Sequence, residues 1–331
     1  MYVKKVVCFV KYMIGLQSHK KDFVNEIIKQ KEYIYEVYFS WGSFPNGRSS
    51  IATNENFFSY ELQQMQTDAL RSLRENGIAL NLLFNANCYG KESQSRAFFE
   101  EIGATTDYIK ENFGLNSITT PSPLIAKYIK RNFEDIEVRA SVNMEIGTVQ
   151  GMDYLSQYFD SYYMQREHNR DLDRIKELSG WCKNNGKKLF MLANSGCLNH
   201  CSAHNFHDNL VAHEAEISKM DNAYNFGGIC KEYLKDESHY ISLINDTNFV
   251  RPEDMEKYEP YFEAVKLATR VHKSPSMVMN SYIRGKYSGN ILDILEPAHS
   301  IYPYVVENGE PLKLKKIDLT GGIFDVNKQD N

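Results

Sequence analysis

The 331-residue chain is expected to be an α/β protein, a (β/α)8 TIM-type barrel with a long insertion after strand seven and a C-terminal extension. Three observations predict this. Short apolar runs alternate with helical patterns, which implies parallel strands joined by helical crossovers. The alternation yields eight strands within about 270 residues, close to the roughly 250 typical of the closed barrel. The turn after the first run reads Lys11-Tyr12-Met13, without the glycines that open a doubly wound sheet, the alternative architecture.

The elements follow in order. Val6–Val10 reads as the first strand, and Phe23, Val24, Ile27 and Ile28 take helical spacing after it. Glu36–Ser40 is a second strand and Tyr60–Asn76 a second helix. Ala79–Phe84 is the third strand, preceded by Gly77 at a helix C-terminus. Ser117–Thr120, Glu137–Val142 and Ser161–Met164 are strands four to six, with helices near Pro123–Asn132 and Gln150–Tyr158. A helix over Asp171–Asn184 is closed by Gly186. Lys188–Ala193 and Ala264–Ala268 are the last two strands.

Residues 1–290 are assigned to the barrel. Its connection 194–263 holds three Cys and five His, and a long insert on a βα connection is where such a barrel carries its active-site equipment. Residues 291–331 form the extension, in which Ile301–Val306 and Leu312–Ile317 are placed to pair as a hairpin.

Composition narrows the function. Lys plus Arg is 38 against 43 Asp plus Glu, a net charge of -5, so no basic field announces a nucleic-acid partner. Lys127, Lys130 and Arg131 form a modest basic stretch, read as a solvated helix face. No apolar run approaches the roughly 20 residues that span a bilayer, and no small-residue cleavage site follows the first apolar run. A cytoplasmic location is expected. Six cysteines are too few for a disulfide scaffold, so clustered thiols point to metal binding or redox chemistry.

Cys197 and Cys201 lie just past strand seven, Cys230 follows Gly227-Gly228, and Cys88 lies just past strand three. In a barrel, all four would share the catalytic face. Four such thiols suit an iron–sulfur cluster or an all-cysteine zinc site. His200, His204, His207 and His213 could instead supply nitrogen ligands, for example in a mixed zinc site with Cys197, Cys201 and His204. Cys8 reads as a core residue, and Cys182 lies toward the opposite face. Arg166, Arg251 and Arg270 are candidates to grip a carboxylate, because the guanidinium fork matches it through two hydrogen bonds. The competing reading is a structural ion pair, such as Arg166 with Glu167; for Arg251, at a helix start, that reading is favoured. His204 and His207 are candidate proton carriers near neutral pH. Asn85, Asn143 and Asn194 fall at strand ends, where they could hold a polar substrate.

Several segments resemble the U32 family, historically called collagenase-like peptidases. They are Val37–Gly42 with Gly47-Arg48, Leu83–Asn85, Arg139–Asn143, Gln165-Arg166-Glu167, Asn194 through Cys201, Val250–Asp254 and Val265–Arg270. The resemblance covers about residues 3 to 285. It implies a TIM-type barrel and a [4Fe–4S] cluster, here on Cys88, Cys197, Cys201 and Cys230, with Cys88 standing in for a cysteine that some members carry near strand two. It also implies oxygen-independent hydroxylation, with a prephenate-like carboxylate as the oxygen source and a second U32-type subunit as a partner. Arg166, Glu167, His204, His207 and Arg270 are the catalytic candidates. A zinc-dependent hydrolase or peptidase is the alternative, and a non-catalytic iron–sulfur partner subunit the third reading. No His-Glu-x-x-His segment and no Ser-His-Asp set can be placed.

Overall fold

The computed structural model describes residues 10–42, 44–45, 60–224, 226–317 and 323–325, and the expected barrel is present among them. Eight parallel strands close in chain order: β1 (Lys11–Gly15), β2 (Ile34–Phe39), β3 (Ala79–Leu83), β4 (Ser117–Thr120), β5 (Glu137–Ala140), β6 (Ser161–Tyr163), β7 (Lys188–Leu192) and β8 (Ala264–Leu267). Closure is made by β1 on β8, with Tyr12 beside Val265 and Ile14 beside Leu267. Helices α1 (Lys21–Lys29), α2 (Tyr60–Glu75), α3 (Arg96–Phe113), α4 (Pro123–Asn132), α5 (Val149–Asp153) and α6 (Leu172–Asn184) follow strands one to six. The connection from β7 to β8 carries four short helices, α7 (His204–Ala212), α8 (Glu214–Ile217), α9 (Ile229–Tyr233) and α10 (Ser242–Asn245), and α11 (Pro275–Ile283) follows β8.

Successive strand residues face opposite sides, so each strand serves two cores. Ile14, Val37, Leu80, Ile118, Val138 and Val265 pack outward under the helices. Met13, Tyr38, Leu83, Tyr163, Phe190 and Ala264 fill the barrel. The interior also contains a polar layer. Arg139 pairs with Glu36, and with Glu137 at 2.8 Å, while Ser117 bonds Glu36 at 3.1 Å and Asn81 bonds Ser117 at 2.7 Å.

Three expectations need correction. The strand that opens the barrel is Lys11–Gly15, whereas residues 6–9 of the expected Val6–Val10 lie outside the described residues. Lys11 marks the exposed beginning of the strand, while Tyr12, Met13 and Ile14 are buried. The fifth helix stops at Asp153, giving way to turns before Tyr158. The long helix α3 was not anticipated. Its buried stripe includes Gly103 and Thr106, which break the apolar period that would have revealed it. Its ends are conventional: Ser95 accepts from the Phe98 N–H at 3.1 Å, and Gly114 closes it with φ 74.

The extension lies against the barrel. Ile291, Leu292, Ile294, Leu295 and Ile301 belong to the main core. The expected hairpin is β9 (Tyr304–Glu307) on β10 (Lys313–Ile317), joined by β11 (Ile323–Asp325) as a third antiparallel strand. No helix among the described residues is long and apolar enough to cross a membrane.

Candidate active site at the barrel mouth

The C-terminal ends of the strands open on a cavity of about 100 Å³, which admits a small molecule. Tyr38 reaches it from β2, Asn85 from the loop after β3, Asn143 from beyond β5, Arg166 from beyond β6, and Lys266 and Arg270 from β8 and its exit. Three cations therefore face two acids, Asp208 and Glu296, which favours an anionic ligand. Asn85 is 8% exposed, and its buried side-chain oxygen has no hydrogen-bond partner among the described residues. A buried acceptor left open in this way is expected to meet a ligand or water.

Arg270 can approach because Gly15 stands opposite. A Cβ at Gly15 would lie 2.7 Å from the Arg270 backbone nitrogen and 2.7 Å from the Tyr38 hydroxyl. The Gly15 N–H bonds the Thr269 hydroxyl at 2.7 Å, tying β1 to the turn that carries Arg270.

Arg166 opens a 3-10 turn directly after β6. Its Nη1 donates to the Cys197 Sγ at 3.6 Å, and its Nη2 meets the His204 ring. His204 Nδ1 lies 2.8 Å from Glu145 and its Nε2 3.4 Å from Asp208. Glu145 holds a left-handed backbone at φ 52, a conformation that costs about 1 kcal/mol or more for a non-glycine residue. Among the described residues Arg166 makes no ion pair with Glu167, whose buried Oε2 has no hydrogen-bond partner. Arg251 is structural, as favoured, pairing with Asp254 at 2.6 Å and donating to the Gly309 carbonyl at 2.6 Å. Asn194 is also occupied: its side chain accepts from the Ala268 N–H at 2.6 Å and donates to the Ile294 carbonyl at 2.9 Å. His207 does not line the cavity and sits edge-on to Phe226.

The cysteines divide into groups. Burial raises the Cys230 thiol, and the neighbouring Cys197 and Cys201 raise it further, so these three thiols lie within electrostatic reach on one rim. Cys88 lies beside His213. A hydrogen bond from His213 and one from the Gly90 N–H at 3.4 Å lower the Cys88 thiol, while His213, also 3.1 Å from Glu216, is raised. Cys182 is pushed up to about 12 by burial. Cys8 lies outside the described residues. Among the described residues, no three His, Cys, Asp or Glu side chains are drawn together closely enough to hold one metal ion. A thiolate is the reactive form of cysteine, so iodoacetamide at neutral pH is expected to label Cys88 before Cys182 in the metal-free chain. Mapping of the labelled peptides checks this, and equal labelling would contradict the His213 contact.

Lys266 was passed over as a site residue. It lies on β8 between the barrel-lining positions Ala264 and Ala268, is 7% exposed, and among the described residues makes no hydrogen bond or ion pair. Its ammonium rests over the rings of Tyr38 at 4.1 Å and Tyr163 at 5.0 Å. One signal was available: a single lysine inside Ala264-Val265-Lys266-Leu267-Ala268, whose alternation points it inward. Glu145 and Asp208 carried no comparable signal, because only the folded loops bring them to His204.

No family model matches the chain. It is 25% identical over 314 residues to the uncharacterized protease MJ1657 of Methanocaldococcus jannaschii, covering 88% of each chain. The solved structure of the U32 peptidase Mk0906 matches 80% of this chain and 95% of its own, with a TM-score of 0.55 and 14% identity, a likeness of fold.

Proposed function

We infer, from the U32 assignment that these two similarities support, that the chain is an enzyme acting on a small carboxylate in the barrel mouth. Its chemistry is an oxygen-independent hydroxylation served by an iron–sulfur group on the adjoining rim. The observation that carries this is Arg166, which lines the cavity and touches Cys197, joining the anion site to the thiol rim. Arg166 and Arg270 present forks for a carboxylate, and the open Asn85 oxygen accepts from a substrate hydroxyl. His204, between Glu145 and Asp208, can hold or pass a proton at its ring nitrogens.

The donor set fits such a group in kind: soft thiolates, three of them on one rim. When bound, the group would supply electrons or an open iron. Cys197, Cys201 and Cys230 are its ligands in this reading, and Cys88 is not.

Anaerobic purification with iron and acid-labile sulfide assays tests it. The expected result is about four iron and four sulfide per chain, lost in Cys197→Ser and Cys230→Ser and kept in Cys88→Ser. A colourless protein without iron or sulfide would overturn the cluster. A second reading, thiol-dependent hydrolysis, is favoured by the Cys88, His213 and Glu216 relay, since nucleophile, base and orienting acid stand in series. It expects peptide hydrolysis that Cys88→Ser abolishes.

A further inference from the structure

We propose that Lys266 is a nucleophile that forms an imine with a small oxo-carboxylate in the barrel mouth. The inference rests on reading that mouth as a carboxylate site and adds the class of substrate. The first support is placement. The Lys266 side chain lines the cavity that also receives Arg166 and Arg270, so a carboxylate gripped by the arginines puts an adjacent carbonyl beside the amine. The second is the amine's isolation. It faces two aromatic rings and, among the described residues, has no carboxylate or hydrogen-bond partner. A structural lysine would be expected to have one.

The surroundings also free the lone pair. Burial, then Arg270, and Arg139 from β5, lower the amine to about 7, with Glu36 on β2 opposing. Desolvation beside another cation is a recognised way to make lysine nucleophilic. Tyr38 and Tyr163, pressed on the amine from β2 and β6, are raised by burial and remain neutral hydroxyls at pH 7.

The step balances without a redox partner. The Lys266 nitrogen adds to the carbonyl carbon, a C–N bond forms as the C–O π bond opens, and the oxygen takes a proton. Loss of water and of the nitrogen proton leaves C=N. Amine and carbonyl go in, and imine and water come out.

The test incubates the full chain with pyruvate, 2-oxobutyrate or 2-oxoglutarate, adds borohydride, and maps the adduct by mass spectrometry. The expected result is a reduced adduct on the Lys266 peptide with at least one of the acids. It should be absent in Lys266→Arg and Lys266→Met, and its trapping rate should rise as pH climbs through about 7. Binding of the same acids, and of lactate, is followed in parallel by ligand-observed NMR on wild type and on Arg270→Met. If the acids bind and need Arg270 but none is trapped on Lys266, the imine is overturned and the carboxylate site stands. If none binds, both readings fall. Adducts spread over exposed lysines and unchanged in Lys266→Arg also overturn the proposal.

Discussion

Arg139→Ala is expected to destabilise the fold by about 3–5 kcal/mol, the range for removing one partner of a buried ion pair. Arg139 and Glu36 are each 1% exposed at the centre of the barrel. Burial disfavours the guanidinium charge, but Glu36 and Glu137 outweigh it. Removing the arginine leaves two carboxylates without their shared cation, and the Phe190 ring, 4.4 Å away, loses its stacked partner. Urea unfolding at pH 7 reads the loss, and an unchanged midpoint would show that water or another cation replaces the guanidinium.

The same site sets an acid limb. Burial alone would raise the Glu137 carboxyl, but Arg139, Ser161 and Lys188 together hold it at about 2. Because the folded value is depressed, the stabilisation is present above the ordinary value near 4.5 and is lost as pH falls through about 2. In Arg139→Ala the loss should begin at higher pH, and acid titration by circular dichroism distinguishes the two proteins.

These buried charges show where the sequence was legible. The strands were readable because Val37, Ile118, Val138 and Val265 face helices, so apolar runs mark them. The thiol-bearing loops were readable because cysteine is a chemical signal by itself. The interior layer was not. Glu36 and Arg139 look like ordinary surface charges in a one-dimensional pattern, and only barrel closure turns them inward. The contact between Cys88 and His213 was not legible for a related reason. Cys88 follows β3, but His213, at the junction of α7 and α8, lies beside it, and a turn inside a long insertion has no register against the barrel that spacing could supply.

Lys266→Met is expected to stabilise the protein at neutral pH. The amine is lowered from 10.5 to about 7, by burial first and then by Arg270. Between those values the unfolded chain binds a proton that the folded chain refuses. Stability is therefore forfeited as pH falls from about 10.5 to 7 and stays forfeited below. At 1.36 kcal/mol per unit the penalty is roughly 4–5 kcal/mol, partly offset by about 1–2 kcal/mol of attraction to Tyr38 and Tyr163. Methionine keeps the apolar stem without the charge, so a gain of roughly 2–4 kcal/mol is expected at pH 7. The gain should shrink toward zero as pH approaches 10.5. Paired urea titrations at the two pH values read this directly, and a gain independent of pH would mean that the amine is solvated rather than buried. A residue whose removal stabilises the fold is one that stability alone does not explain, and in this barrel that residue lines the cavity where Arg166 and Arg270 also converge.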